Sequence, residues 1–161
     1  MNARVDANPR VDGPRLGEIG LQQFAPYLMN RIMGRYNASL RHDLADLGLT
    51  TPKMRALAVL SVIEGLLIRQ LAVYAVIEQS TLSRALDALE AEGLVNRRPE
   101  PSDSRATRVS ITELGRATFE KMWPTMRNSY EQMFAGIEAE EHAAFVATLQ
   151  KILKNVRKHD F

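Results

Sequence analysis

The hydrophobic positions of this chain are spaced mostly as in amphipathic helices. From Leu21 onward they recur every three or four residues, which predicts one long helix that ends at Gly48. Pro26 lies near its beginning, so the helix either starts there or is kinked in its first turns. Residues 1–15 lack this periodicity and contain Pro, Gly and Asn among alternating charges, so we predict a flexible arm there.

Three shorter helices are predicted next. Thr51 followed by Pro52 is a helix-start signal, and the second helix, which begins there, ends near Gly65. A third helix carries apolar residues on one face between positions 68 and 76. A fourth runs from about residue 79 to residue 92, and its apolar stripe consists of Leu82, Ala85, Leu86 and Leu89.

The period changes to two in the middle of the chain. Residues 94–98 can form a strand, and residues 107–111 alternate with an apolar side of Val109 and Ile111. The segment between them is dense in turn formers, so we predict a β-hairpin with a long loop. Thr112 is expected to cap a helix that Pro124 bends, and a last helix opens near residue 138.

The order of these elements predicts a mainly α (α+β) fold. Four helices, a hairpin and two more helices place a winged helix-turn-helix DNA-binding lobe over residues 49–112. The helices in residues 16–48 and 113–161 carry more apolar surface than so small a lobe can cover. They therefore predict a helical dimerisation region and a homodimer.

The fourth helix is the candidate recognition helix, since the second helix of a helix-turn-helix enters the DNA major groove. With its apolar stripe facing inward, the outward residues near its N-terminus can reach base edges and phosphates. These are Gln79, Ser80, Thr81, Ser83 and Arg84. The alternative is that Ser80, Thr81 and Ser83 only cap and solvate a helix start.

The hairpin is the candidate wing. It carries Arg97, Arg98, Arg105 and Arg108 on a ribbon too small for a core of its own. A protruding basic wing can place an arginine in the minor groove or along phosphates. Asp103 is close enough in sequence to orient the guanidinium of Arg105 by a charged hydrogen bond. The alternative is a solvated basic loop.

Three stretches of this sequence resemble, in order, parts of the multiple antibiotic resistance regulator (MarR) family. They are Leu82–Pro99 for the recognition helix and the strand after it, Asp103-Ser104-Arg105 for a D-x-R wing, and Val109–Gly115 for a strand-to-helix T-x-x-G. The resemblance extends over about residues 21–156. It implies a homodimer with interleaved terminal helices, which binds pseudo-palindromic operators near promoters, usually as a repressor. The positions that it carries over to DNA are Ser80, Thr81, Ser83 and Arg84 in the groove and Asp103 and Arg105 on the wing.

The sequence also departs from that family. Members often have Gly in the turn before the recognition helix and Ser or Thr as its cap, where this chain has Val76 and Glu78. Val76 is expected to be a buried turn residue, and Glu78 would repel phosphates unless it points away or pairs with an arginine. Together with Asp87 and the modest net charge of +2, Glu78 keeps open an alternative function, a winged-helix protein-interaction module without specific DNA binding.

The composition excludes several other kinds of site and classes of protein. The chain has 161 residues, about one ordinary domain, and no cysteine, which excludes disulfides, thiolate metal sites and a thiol redox switch. Its three histidines have no metal-ligand spacing, and no Gly-rich phosphate loop or nucleophile elbow occurs, so we expect no cofactor, no metal and no enzyme. Without an apolar run of about 20 residues or a signal sequence, we expect a cytoplasmic protein that does not bind membranes. The expected partners are double-stranded DNA, a second copy and a small-molecule effector.

The effector prediction comes from the resemblance. In many members of that family a small anionic or phenolic ligand binds between the dimer helices and the DNA-binding lobe. The residues that could line such a cleft here are Tyr36, His42, Met54 and Trp123. A role in the core or in the dimer interface is the alternative for each of them.

Overall fold

The computed structural model of the protein describes residues 13–161, so most of the predicted N-terminal arm lies outside the described residues. The chain forms two units, which divide between Ala38 and Ser39. No helix in residues 13–161 combines the length and the apolar character that crossing a membrane requires.

The described part of the first unit is helical. Helix α1 spans Leu16–Ile19, a 3-10 turn spans Leu21–Gln23, and the long helix α2 spans Ala25–Ala45 and continues into the second unit. Of the two alternatives predicted for Pro26, the structure shows the first, because α2 begins immediately before it. Proline is tolerated in a first helical turn, where its missing N–H has no intrahelical partner to lose.

The second unit contains the other helices. They are α3 (Thr51–Val62), α4 (Ile68–Ala75), α5 (Gln79–Ala91), α6 (Glu113–Met133) and α7 (Ala139–Val156). Thr50 is the N-cap of α3 and Pro52 lies in its first turn, as the sequence predicts. Helix α3 packs against α4, α5 and α6, and the leucines Leu57, Leu60, Leu71, Leu82, Leu86 and Leu89 are fully buried. The core of the lobe therefore sits around α3.

A small antiparallel sheet adjoins these helices. Its strands are β1 (Leu66–Leu67), β2 (Val95–Glu100) and β3 (Asp103–Ile111), in the order β1-β3-β2. Leu66 lies opposite Val109, and Val95 lies opposite Ile111. Strand β1 was not predicted, because two residues are too short to show an alternating pattern.

The prediction of a long loop in the hairpin is wrong. The strands extend to Glu100 and from Asp103, which leaves only Pro101 and Ser102 between them. The carboxylate of Glu100 closes this turn by accepting a hydrogen bond from the Ser102 hydroxyl at 3.0 Å. Pro99 is tolerated because β2 is an edge strand, and the register shifts between Pro99 and Glu100.

Candidate nucleic-acid interface

Helix α5 presents the face that the sequence predicts. Its stripe of Leu82, Ala85, Leu86 and Leu89 is buried. The predicted DNA-facing residues lie outside this stripe: Gln79, Ser80 and Arg84 are exposed, and Thr81 and Ser83 are half-buried. Their side chains form no hydrogen bond within residues 13–161, and the N-cap position is taken by Glu78 instead. The three hydroxyls therefore do not cap the helix, and their polar groups are available to a ligand.

The turn before α5 is built on Val76. This residue is the C-cap of α4 and adopts the left-handed conformation with φ 54°, a region that β-branched side chains rarely enter. Its side chain is 77% exposed, so the prediction that it is buried is wrong. Ala75 supplies the buried side chain of the turn, and Val76 supplies the reversal of the backbone. The carbonyl of Val76 accepts a hydrogen bond from Arg55 Nη1 at 3.2 Å, which fixes the turn on α3.

Two arginines of the wing are engaged inside the lobe. Arg97 Nη1 lies 2.8 Å from Asp87 Oδ1, and the same guanidinium is bonded to Glu90. The hydrogen bond from Arg97 is the main cause that holds the pKa of Glu90 below its ordinary value. Arg108 pairs with Glu100 and donates to the carbonyl of Gly65. The positive charge of both arginines is thus already matched by carboxylates.

The sequence suggested that Asp103 orients the guanidinium of Arg105, but the structure shows a different contact. The Oδ1 atom of Asp103 accepts a hydrogen bond from the backbone N–H of Arg105 at 3.0 Å. This contact fixes the backbone at the beginning of β3 and leaves the guanidinium of Arg105 with no bond within the described part of the chain. Arg84 and Arg98 are likewise exposed and carry no ion pair within residues 13–161.

A cleft of about 220 Å³ lies between the recognition helix and the wing. Gln79 and Ser83 of α5 line one side, and Asp103 and Arg105 of β3 line the other. Four of the predicted DNA-contacting residues, which are separated by up to 26 positions in sequence, therefore share one surface. The cleft also includes Arg69 of α4, which the sequence analysis did not select.

The start of α6 is locked to the recognition helix and the wing. The Thr112 hydroxyl donates to the carbonyl of Gly93 at 2.7 Å and accepts from the backbone N–H of Gly115 at 3.0 Å. A Cβ atom on Gly115 would collide with the carbonyl oxygen of Leu94 and lie 2.9 Å from Ile111 Cγ1. Only glycine therefore allows α6 to begin this close to β2.

This fold recurs in known proteins. The sequence profile of the MarR family matches residues 47–106. A crystal structure of a MarR-family transcriptional regulator from Silicibacter pomeroyi is 56% identical, covers 92% of this chain and 100% of its own, and superposes with a TM-score of 0.87. The chain belongs to the MarR family.

Two further relatives of this MarR-family regulator are more distant. The HTH-type transcriptional repressor IacR of Pseudomonas putida is 27% identical over 143 residues, which are 89% of this chain and 86% of IacR. The structure of Bordetella bronchiseptica BpsR, whose DNA binding is regulated by 6-hydroxynicotinic acid, is 26% identical and covers 79% of this chain and 96% of its own, with a TM-score of 0.69. The structure of BpsR shares this fold, and the MarR-type winged helix predicted from the sequence is confirmed.

The residues predicted for an effector lie in different environments. Met54 is 3% exposed and belongs to the core of the lobe, which is the alternative role considered for it. Trp123 is half exposed and packs on Phe119 with ring centroids 6.2 Å apart. His42 is exposed, and Tyr36, in the first unit, is partly buried, which raises the pKa of its phenol. Their assignment to a ligand stays a prediction.

Two residues that raised doubt about DNA binding also have places in the structure. Asp87 is matched by Arg97, so its charge does not stand alone on the recognition helix. Glu78 is exposed at the N-cap of α5 and makes no capping hydrogen bond. Of these two acidic residues, only Glu78 has no ion pair within residues 13–161.

Proposed function

We propose that this MarR-family transcriptional regulator is a repressor that binds a pseudo-palindromic operator as a homodimer. The observation that carries the proposal is the cleft in which α5 and the wing present Gln79, Ser83 and Arg105 on one surface. Amide and hydroxyl groups suit base edges, and an unpaired arginine suits phosphates or the minor groove. Arg84, exposed on the same helix, is the candidate for a bidentate contact to guanine.

The dimer is supported by the last two helices. Helix α7 has no buried residue, although its apolar positions follow helical spacing. Phe145, Ile152, Leu153 and Val156 are between 38% and 66% exposed, and Trp123 of α6 is 50% exposed. Soluble monomers seldom leave so much apolar surface open, so a second copy is the expected cover. A symmetric dimer presents two recognition helices, so its DNA site should consist of two half-sites in opposite orientation.

Repression, and control of DNA binding by a ligand, are supported by relatives. IacR is named a repressor, and 6-hydroxynicotinic acid, which regulates DNA binding by BpsR, is an aromatic acid. We therefore extend to this chain a small aromatic or anionic effector that weakens operator binding. His42 and Trp123, both exposed in the second unit, are its proposed contacts.

Selection from a random duplex library tests DNA recognition, followed by fluorescence anisotropy with the selected duplex and a scrambled duplex across a salt series. We expect an inverted repeat, nanomolar binding that keeps its preference as salt rises, and one dimer per duplex in analytical ultracentrifugation. Equal, weak and salt-sensitive binding of both duplexes would contradict the proposal and favour an interaction module.

A second assay tests repression and release. The selected repeat is placed over a promoter in a purified transcription reaction, and the protein should lower transcript yield. A panel of aromatic carboxylates should restore it, while aliphatic acids of equal charge should not. Unchanged transcript yield in the presence of bound protein would exclude repression.

A further inference from the structure

Arg69 lies where the helix-turn-helix and the wing meet. It is the second residue of α4, which follows β1 directly. Strand β1 pairs with β3, with Leu67 opposite Arg108. The position of Arg69 is therefore fixed by the wing as well as by the helix on which it lies.

The backbone around Arg69 is held firmly while its side chain is not. Gln70 Oε1 accepts a hydrogen bond from the backbone N–H of Leu67 at 3.0 Å, which closes the first turn of α4. Arg69 itself is exposed, and its guanidinium forms no hydrogen bond or ion pair within residues 13–161. A long cationic side chain on a fixed backbone is suited to bind an anion that arrives from solvent.

The charges and donors around Arg69 favour an anion. The cleft contains two guanidinium groups, of Arg69 and Arg105, and one carboxylate, of Asp103. One oxygen of that carboxylate is already occupied by the backbone of Arg105. Gln79, Ser83 and Thr107 add neutral hydrogen-bond donors to the same cleft. The cleft thus has a net positive charge and several donors, which is the chemistry that binds a phosphodiester.

We propose that Arg69 binds a backbone phosphate of DNA between the groove segment read by α5 and the segment reached by Arg105. This inference rests on the proposed function and adds to it a contact from the first helix of the helix-turn-helix. A phosphate contact positions the protein without reading sequence, so Arg69 sets affinity and register while Gln79, Ser83 and Arg84 set preference.

The test compares Arg69→Ala, Arg69→Lys and Lys121→Ala on the selected and the scrambled duplex across a salt series. Lys121 is exposed on α6, so its variant loses the same charge away from the cleft. For Arg69→Ala we expect about tenfold weaker binding to both duplexes and a salt slope reduced by about one. Arg69→Lys should restore the slope, and Lys121→Ala should match the wild type. Thermal melts verify that each variant is folded.

Several outcomes would overturn the inference. If Arg69→Ala kept the wild-type slope, or lost no more than Lys121→Ala, Arg69 would not bind a phosphate. A loss confined to the selected duplex would make Arg69 a base contact instead. In both cases the wild type still binds its repeat, so the proposed function stands. If the wild type bound neither duplex, the proposed function and this contact would fail together.

Discussion

Arg97 of the wing is bonded to Glu90 of the recognition helix through three donors. Its Nη2 and Nε atoms lie 2.6 Å and 2.8 Å from Glu90 Oε2, and its backbone N–H donates to Glu90 Oε1 at 3.2 Å. Because strand β2 and helix α5 are tied at this point, the angle between recognition helix and wing is set inside the protein, before DNA is bound. Arg97 is therefore a positioning residue, in contrast to Arg105.

The two wing arginines should differ when each is replaced by alanine. Arg105→Ala removes an unmatched cation, so we expect weaker binding to all duplexes and a salt slope reduced by about one. Arg97→Ala removes a cation that Asp87 and Glu90 already neutralise, so the slope should stay as in the wild type while affinity for the operator falls. Anisotropy across a salt series measures both. If the salt slope of Arg97→Ala were reduced as much as that of Arg105→Ala, Arg97 would leave its carboxylates to bind DNA.

Arg84 should govern sequence choice. It is exposed on α5 outside the buried stripe, and a bidentate contact to guanine discriminates between bases. We expect Arg84→Ala to cost about 1–3 kcal/mol of operator binding and to relax preference at one base pair per half-site. Binding to a set of single-base operator variants measures this. If all variants weakened in parallel with the operator, Arg84 would be a phosphate contact.

Acid should loosen the wing. The pKa of Glu90 is lowered chiefly by Arg97, and that of Glu100 chiefly by the Ser102 hydroxyl, with Arg108 adding to it. A carboxyl with a lowered folded pKa stabilises the fold above its unfolded pKa and loses this contribution as the pH falls through the folded pKa. The thermal unfolding midpoint should therefore decrease as the pH is lowered from about 5 to about 3.

Variants separate these carboxyls from the others. Glu90→Gln and Glu100→Gln should each have a lower midpoint at neutral pH and a flatter acid dependence than the wild type. Glu140→Gln, at an exposed position of α7, serves as the control and should follow the wild-type curve. Melts recorded by circular dichroism across this pH range decide the matter. Full acid sensitivity in both Gln variants would show that other carboxyls dominate.

Val76→Gly should stabilise the protein. Among residues 13–161, Val76 is the one non-glycine residue with a positive φ, and its exposed side chain contributes little packing. Glycine relieves the left-handed strain and keeps the carbonyl that binds Arg55, so we expect a gain of about 1 kcal/mol in unfolding free energy. Val62→Gly is the matched control, because Val62 is 83% exposed at the end of α3 and lacks the strained φ.

The control should lose stability, since glycine weakens a helix by about 1 kcal/mol. Urea unfolding of the two variants gives the comparison. A loss of stability in Val76→Gly as large as in Val62→Gly would show that the side chain of Val76 is needed for packing.

Gly115→Ala should disrupt the joint between α6 and the wing. The added methyl group collides with the backbone of Leu94, which cannot yield as a flexible side chain does. We expect a loss of about 3 kcal/mol and weaker operator binding, since β2 or α6 must shift. Gly34→Ala is the control, because a Cβ atom at Gly34 has no neighbour within 4 Å and alanine favours the helix. Unchanged melting of Gly115→Ala would mean that the joint can widen.

The helices were predictable because their apolar residues repeat at helical spacing and their caps are local. Thr50, Thr112 and Glu138 are N-caps at or next to the predicted positions. The stripe of α5 followed from the same spacing, and with it the outward face. Strand β1 and the true length of the hairpin were not predictable in this way. Both depend on pairing with another strand. Two residues are too few to show an alternating pattern in β1, and Pro99 interrupts such a pattern in β2.

The site was predicted as a set of residues but not as a set of contacts. Glu90 was not among the residues selected from the sequence, yet it binds Arg97 of the neighbouring strand β2. Arg69 was missed, since only tertiary structure brings α4 beside β3. Whether an arginine is free or matched depends on carboxylates from other elements, and the charge pattern along the chain does not contain that information.

The absence of a side chain at Gly115 has a mechanical consequence. The backbone of Leu94, in the segment that links α5 to β2, lies directly against the start of α6 there, so we expect these elements to move together. Helix α6 runs from Glu113 to Met133, so about 27 Å of it lies beyond Gly115. We therefore expect a tilt imposed on the distant end of α6 to displace the proposed DNA-reading surface as well.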